Sequence, residues 1–354
     1  MALAGRNRPL MAGATAALLA ALSFGVTAPL IALVSQRVGP LAIASLLYGG
    51  AAASSLLPRG DRSQGTPFGR SQIWRLLAMA AVGGGAAPAL FAWGLRHTGG
   101  TAGSLLLNLE AVFTVLLAWL VHREPIGRRV AVALALMTLG GAALALDGGG
   151  HTPWHLWGIA AVALATLGWG IDNTLSRGLA QQDPVLVIGW KGTLGALATA
   201  AFAYTTGERL PALRDALLLL ACGASGYGLS LRLYLLAQRR MGAARTGSIF
   251  AVAPFIGAAL GWALGDRDHA HAPGTALAAL CFISGLWLHL TERHQHAHVH
   301  DAVDHDHPHR HDDGHHDHVH EPPFFGEHSH AHHHERVEHD HDHAPDLHHN
   351  HAHR

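Results

Sequence analysis

Two ionisable side chains interrupt apolar stretches in the middle of the chain. Asp172, followed by Asn173, lies in the apolar run 156–176, and Lys191 lies in the next run, 185–206. Lys191 is also the only lysine in the 354 residues. A charge in hydrocarbon costs at least ~2.5 to 3.5 kcal/mol on insertion scales, so such groups normally face a protein interior or a water-filled path. This pattern indicates that Asp172, Asn173 and Lys191 handle a transported solute.

The two charges are expected at a similar depth. Counting 1.5 Å per residue along each helix places both roughly 8 to 10 Å from the cytoplasmic boundary. An ion pair between Asp172 and Lys191 is therefore predicted, since pairing is how such groups are usually tolerated. Two other interpretations stay open, namely a pair that only fixes helix packing, or a lysine that extends to the interface.

Glu110 is a second candidate, with Asn108 two residues before it, near the middle of the run 101–121. Burial at that depth disfavours the charged form, so Glu110 could exchange a proton with a substrate cation. A role in helix packing is the alternative. Four further groups, Asp266, Asp268, His269 and His271, share one loop and could hold a divalent ion weakly, although a solvated polar loop is the favoured interpretation.

Composition identifies the element type that must position these groups. The chain is 49% hydrophobic and 14% charged, against roughly 25% charged in a soluble domain. A span needs about 20 residues, because a ~30 Å hydrocarbon layer is crossed at 1.5 Å per residue. The sequence therefore predicts an all-α membrane protein with ten transmembrane helices, near residues 10–35, 39–57, 73–95, 101–121, 129–146, 156–176, 185–206, 214–237, 244–264 and 273–291.

Orientation follows from the arginines. The first run is longer than the 7 to 15 residues usual in a signal peptide, so it is expected to be a retained span. With a cytoplasmic N-terminus, fourteen arginines fall on the inner side and five on the outer side, Arg37, Arg96, Arg209, Arg214 and Arg267. Positive charge prefers the cytoplasmic side. Ten spans then place both termini in the cytoplasm, and the inner membrane is the expected location.

The second half of the chain repeats sequence patterns of the first half. SFGVTAPL (residues 23–30) aligns with GWGIDNTL (168–175), and EAVFTVLLAW (110–119) aligns with APFIGAALGW (253–262). Five spans per half is an odd number, so the copies are predicted to have opposite orientations. Inverted repeats are typical of secondary transporters, whose sites lie where the halves meet.

The runs 97–144 and 234–266 resemble the drug/metabolite transporter (DMT) superfamily, EamA type. The resemblance implies two five-helix repeats, residues 1–147 and 148–293, that export a small molecule or ion. Ala111 departs from the family pattern, which usually has proline there, whereas the second copy keeps Pro254. Helix four is therefore expected to be straighter than helix nine. Pro29, Pro88 and Pro254 lie within spans, and either functional or static kinks are expected there.

The last 61 residues, the tail (294–354), differ in composition. They contain 24 of the 31 histidines, 13 acidic residues and three arginines. With so few apolar residues the tail is predicted to be disordered. Neutral imidazole is a ligand for Ni, Co or Zn, so the tail is predicted to bind such ions. The candidate ligands are His294, His296, His298, His300, His305, His307, His309, His311, His315, His316, His318, His320, His328, His330, His332, His333, His334, His339, His341 and His343.

These features predict an inner-membrane secondary transporter, not an enzyme, that exports a divalent transition metal by proton exchange, with nickel or cobalt favoured. The first alternative is an exporter of a small organic metabolite or drug, in which the tail is only a metal buffer or sensor. A non-transporting membrane anchor for a metal store is a third. Membrane lipid and the cargo are the expected partners. No tightly bound cofactor and no nucleic acid are expected, and a homodimer is left open.

Overall fold

A computed structural model describes residues 3–57, 68–123, 126–146, 153–179, 182–265 and 272–290, together with four short segments of the tail. The helices are α1 (Leu3–Gly25), α2 (Thr27–Ser35), α3 (Pro40–Ser54), α4 (Arg70–Ala81), α5 (Ala87–Leu106), α6 (Leu109–His122), α7 (Arg128–Leu146), α8 (Pro153–Ser176), α9 (Pro184–Thr205), α10 (Leu213–Cys222), α11 (Ser230–Met241), α12 (Ala243–Phe250), α13 (Ala253–Ala263) and α14 (Ala272–Leu290). Two π-helical segments (Val82–Ala86 and Gly223–Leu229) and one 3₁₀ turn (Arg177–Leu179) complete the helical part. These elements cover the ten apolar runs in the predicted order.

The length of each helix bears on how many cross a membrane. Over the described residues, eight helical stretches are long and apolar enough to do so, and Pro40–Ser54 and Leu109–Val121 are shorter apolar helices. Residues 1–291 form one compact unit. Its main contacts join helices of the two predicted repeats, α1 with α11, α3 with α9, α5 with α8, and α7 with α14. The halves are therefore interleaved around one apolar core.

Several backbone features recur in both halves. Gly99 (φ 75°) stands eleven residues before Glu110, and Gly242 (φ 85°) stands eleven residues before Ala253. Both have the positive φ that glycine adopts without steric cost, and both interrupt the helical backbone, Gly99 within α5 and Gly242 between α11 and α12. Each π-helical segment also falls in the middle run of its half. The internal repeat is thus visible in the backbone as well as in the sequence.

The prediction that helix four is straighter than helix nine is wrong. α5 and α6 are separated at Leu107 and Asn108, just as α12 and α13 are separated at Ala251 and Val252. The first break needs no proline, because the amides of residues 107 and 108 bond to carbonyls three residues back, and the Asn108 side chain donates to Leu105 O at 2.8 Å. A side chain that bonds local backbone in this way competes with the helix.

The prolines inside the apolar runs lie close to junctions between helical segments. Pro29, Pro88 and Pro254 each lie in the first turn of a helix, in α2, α5 and α13 respectively. A proline removes one amide donor at such a junction and fixes φ near the helical value, so it is tolerated at the start of the segment that follows. Pro184 starts α9 in the same manner, with the Asp183 carboxylate accepting from Val185 N at 2.8 Å.

The described segments of the tail form two antiparallel strand pairs. β1 (Ala297–His300) pairs with β4 (Val337–Asp340), and β2 (Val303–His309) pairs with β3 (His328–His334). In the second pair Val303 is opposite His334 and His309 is opposite His328. These segments differ from the predicted disorder, and their alternating composition has the period of two that is typical of strands. The rest of the tail lies outside the described residues.

Candidate functional site

The ion pair predicted from the sequence is present. The Lys191 ammonium on α9 donates to Oδ2 of Asp172 on α8. Asp172 is only 6% exposed. Its second oxygen, Oδ1, is buried and has no hydrogen-bond partner among the described residues. An ionised oxygen held in this way is a ready acceptor for a donor group on a ligand.

A glycine in the first π-helical segment makes room for this carboxylate. A Cβ atom on Gly83 would stand 2.5 Å from Asp172 Cγ. The Gly83 carbonyl accepts from the Tyr48 hydroxyl at 2.5 Å and from the Trp169 Nε1 at 3.2 Å. The Tyr48 ring, in turn, lies with its centroid 5.8 Å from Lys191 Nζ, within cation–π range. The pair is thus positioned by four elements.

Glu110 joins the same group from the other half of the chain. The Asn173 amide donates to Glu110 Oε1 at 2.8 Å. Glu110 lies in the first turn of α6, directly after the break at Asn108. Since Asn173 follows Asp172 in the sequence, the two carboxylates sit on adjoining parts of one surface. A group bound to one of them is therefore within the electrostatic influence of the other.

These polar groups line a cavity of about 480 Å³. Its walls come from α1, α3, α6, α8, α9, the second π-helical segment, α11 and α12. The lining residues are Phe24, Tyr48, Ala51, Glu110, Trp169, Asp172, Asn173, Ile188, Lys191, Gly226, Tyr227, Ser230, Leu231, Tyr234 and Phe250. A volume in this range is typical of small-molecule sites, which combine an apolar lining with a few placed polar groups.

The structure brings together four of the five residues proposed for transport. Asp172, Asn173, Lys191 and Glu110 line the cavity, whereas the lining, taken over the described residues, does not include Asn108. Asn108 is buried and shapes the break before Glu110. Cys222 is buried and Cys281 partly buried, and neither forms a disulfide.

The acidic and histidine groups of the ninth loop, Asp266, Asp268, His269 and His271, lie outside the described residues. So do His294, His296 and the tail histidines between 311 and 320 and after 340. The remaining candidate histidines of the tail lie in β1–β4, and their side chains are not described.

Sequence reasoning missed the aromatic walls of the cavity. Phe24 contacts Tyr227 and Phe250 with ring centroids 5.8 and 5.7 Å apart, and Tyr234 meets Phe250 at 5.1 Å. A signal was available, because the chain has only four tyrosines and three of them (Tyr48, Tyr227 and Tyr234) line this cavity. A hydroxyl within an apolar run needs a partner, so a mid-span tyrosine marks a polar interior.

The helical body offers few metal ligands. Among the described residues, no three His, Cys, Asp or Glu side chains come together as a candidate metal site. Asp172 and Glu110 are carboxylates, but the nearest cation to Asp172 is Lys191 itself. The described donors around the cavity are carboxylate, amide, ammonium and hydroxyl groups beside aromatic rings.

Known proteins with similar sequences or folds are consistent with this architecture. An uncharacterized transporter of Methanothermobacter thermautotrophicus is 29% identical over 197 residues, which is 53% of this chain and 57% of that protein. The chain thus spans little more than half the length of this relative. A crystal structure matches the chain with a TM-score of 0.55 and 19% identity, covering 78% of this chain and 96% of the other, and it shows likeness of fold alone.

The family match is more extensive. The model of the EamA-like transporter family matches the chain twice, at residues 11–146 and 156–290. The two matches correspond to the two halves that share the glycine turns and the π-helical segments, and together they cover most of the chain. The chain therefore belongs to the EamA-like transporter family.

Proposed function

We propose that the protein is a secondary transporter of a small organic solute that carries both a flat apolar part and an ionised amine. The observation that carries this proposal is the cavity in which the Asp172–Lys191 pair and the Glu110–Asn173 hydrogen bond face aromatic side chains. A solute amine has an acceptor in the free Oδ1 of Asp172. A carboxylate on the same solute would meet Lys191.

The membrane arrangement completes the proposal. The two shorter apolar helices coincide with the second and fourth predicted runs, so eight longer stretches and these two account for ten spans. Five spans per repeat gives the repeats opposite orientations, and the solute site lies where they meet. The arginine distribution supports an inner-membrane location with both termini in the cytoplasm. Export is the direction we propose.

The aromatic walls favour an organic cargo over a divalent ion. Rings such as Trp169 and Tyr227 offer stacking and dispersion contacts, which a small hydrated cation cannot use. A divalent cation at Asp172 would also have to displace Lys191, because two cations within about 4 Å repel each other strongly. An organic amine carries a single positive charge, so at Oδ1 it repels Lys191 less than a divalent ion would, and the carboxylate of a zwitterion can pair with Lys191.

Counterflow into proteoliposomes tests the cargo class. A panel of aromatic and aliphatic amines, zwitterions and carboxylates is compared with nickel, cobalt and zinc. Aromatic solutes with an amine are expected to exchange, and Asp172→Asn is expected to reduce exchange to the level of empty liposomes. The matched control is Asp183→Asn, which leaves an N-cap on α9 and lies apart from the cavity lining. Exchange of metal ions alone would contradict the organic cargo.

Glu110→Gln separates cargo exchange from proton coupling. Glutamine keeps an oxygen that accepts from the Asn173 amide, but it cannot take up or release a proton at neutral pH. We expect counterflow to continue, while uptake driven by a pH gradient falls to the background of empty liposomes. Both are measured on the same preparation. Gradient-driven uptake that survives unchanged would exclude Glu110 as the coupling group.

The second candidate function is export of nickel or cobalt by proton exchange, and the histidine content of the tail favours it. In this proposal the tail binds the ions first, and Asp172 and Asn173 bind them next. Lys191 stays paired with Asp172 until a cation replaces it, and Glu110 exchanges the proton. The alternative role for the tail is a metal buffer or sensor beside an organic cargo. A homodimer is a further proposal that neither cargo requires.

Removal of residues 294–354 distinguishes these roles. Neutral imidazoles bind transition metals and charged ones do not, so we expect the full chain to retain nickel at pH 7.5 and to release it near pH 5. The truncated protein is expected to lose nickel binding, measured by calorimetry, while keeping exchange of organic solutes. Loss of organic exchange on truncation would show that the tail takes part in transport itself.

A further inference from the structure

A cluster of cross-repeat contacts lies at the end of the bundle opposite to the cytoplasmic arginines. Arg37, just after α2, donates from Nε to Asp215 Oδ2 and from a terminal nitrogen to Asp215 Oδ1, both at 2.7 Å. Arg37 belongs to the first repeat and Asp215, in the first turn of α10, to the second. The Asp215 side chain is 4% exposed and the Arg37 side chain 45% exposed. Paired, in-plane contacts of this kind are among the strongest that arginine makes.

A second carboxylate of the same loop region, Glu208, accepts hydrogen bonds from the first repeat close to this ion pair. The Glu208 oxygens accept from the backbone amides of Leu41 and Ala42 at 3.2 and 2.9 Å. These amides belong to the first turn of α3, where no intrahelical acceptor exists. Gly39 allows the approach, since a Cβ there would stand 2.2 Å from the Glu208 carboxyl carbon.

Hydrogen bonds within the first repeat hold the residues that this repeat contributes to the cluster. Arg96 on α5 donates to Ser35 O at 2.5 Å and to Val38 O at 2.8 Å, and the Gln36 amide donates to Arg96 O at 2.8 Å. These bonds hold the short connection that presents Arg37. The hydrogen bond to Asp215 also raises the pKa of the Arg37 guanidinium, so its charge is constant at any physiological pH.

A buried apolar layer lies between this cluster and the cavity. Tyr48 on the cavity wall and Ile43, five residues nearer the cluster on α3, are both buried. Phe91 meets Trp169 edge-on with centroids 5.3 Å apart, and it is 1% exposed. A solute can pass this layer only if the two repeats move apart at that end.

We propose that Arg37, Asp215 and Glu208 form an outer latch, which holds the two repeats together while the cavity is closed to the outside and must open in each transport cycle. The inference rests on the proposed function, a secondary transporter whose cavity opens to one side of the membrane at a time. It does not depend on which solute is carried. Of the two cross-repeat contacts, the Arg37–Asp215 pair joins two side chains, whereas Glu208 accepts from backbone amides.

Thiol labelling of the full chain in whole cells tests the latch. Cys222 and Cys281 are replaced by alanine, and Ile188→Cys supplies one thiol on the cavity wall. A membrane-impermeant maleimide added outside reports exposure of the cavity to that face. We expect Asp215→Asn and Arg37→Gln each to raise the labelling rate about tenfold, within the range typical of coupling between distant sites.

Two control variants test whether the change in labelling rate depends on the pairing of Arg37 with the Asp215 carboxylate. Arg214→Gln removes an arginine that is 79% exposed and 3.6 Å from Asp215 Oδ1, and it should leave the rate unchanged. The exchanged pair, Arg37→Asp with Asp215→Arg, should return the rate toward that of the parent. Labelling of both single variants at the parental rate, or an exchanged pair that labels as fast as the single variants, would overturn the latch. Because labelling uses no cargo, counterflow measured separately tells a failed latch from a failed function.

Discussion

Lys191→Met is expected to destabilise the helical body by about 3–5 kcal/mol, the cost of leaving one member of a buried ion pair without its partner. The loss is large because Lys191 is the cation that pairs with the buried Asp172 carboxylate. The other oxygen of that carboxylate, Oδ1, has no hydrogen-bond partner among the described residues. Unfolding in detergent, followed by fluorescence of the nine tryptophans, measures the change.

Two further variants separate the charge from the shape of the side chain. Lys191→Met combined with Asp172→Asn removes both charges, so the double variant should be more stable than Lys191→Met alone. Lys191→Arg keeps a cation and should be the mildest of the three. The double variant should also remain without transport, since neither a cation nor a carboxylate is left at the site. Equal stability of Lys191→Met and the parent would show that the pair does not support the fold.

Gly50→Ala is expected to destabilise the protein by about 3 kcal/mol, the upper end of the usual range for overpacking. A Cβ atom on Gly50 would stand 2.1 Å from the carbonyl oxygen of Leu220, and backbone cannot move aside as a flexible side chain can. The contact joins α3 to the turn that enters the second π-helical segment. That segment carries Tyr227 on the cavity wall, so transport should fall together with stability.

The neighbouring glycine is the matched control. A Cβ on Gly49 would be 3.7 Å from a Leu220 methyl group, an ordinary contact, so Gly49→Ala should be close to neutral. Gly223→Ala acts on the same interface from the other side, because its Cβ would be 1.9 Å from Leu47 O. Combining Gly50→Ala with Gly223→Ala should cost less than the two separate losses, since one displacement relieves both. A Gly50→Ala protein as stable as Gly49→Ala would contradict this packing.

The Gly50 contact lies between the two repeats, and the Asp172–Lys191 pair joins α8 and α9 within the second repeat. Without a hydrophobic force between helices in lipid, close approach through small residues and specific polar bonds must hold the bundle. Gly50 and Gly223 provide the first, and Asp172–Lys191 and Arg37–Asp215 provide the second. The Arg37–Asp215 pair joins the two repeats at the proposed latch, whereas the Gly50 and Gly223 contacts are close backbone packing between the repeats.

The sequence by itself determined which parts of the chain are helical and how deep the charged groups lie. The ten apolar runs became helical in the predicted order, and equal depth was enough to foresee the Asp172–Lys191 pair. Both properties depend on position along the helix axis. The number of apolar residues and the rise per residue give that position directly.

Only the tertiary structure decided which groups face one another across helices. It placed Glu110 beside Asn173, assigned Asn108 to a break in the backbone, surrounded the site with aromatic rings and joined Arg37 to Asp215. The break without proline at residue 107 likewise depended on side-chain bonding that no propensity reveals. Depth follows from counting residues, but the direction in which a side chain points, and the helix it meets, depend on rotation and packing between segments far apart in the chain.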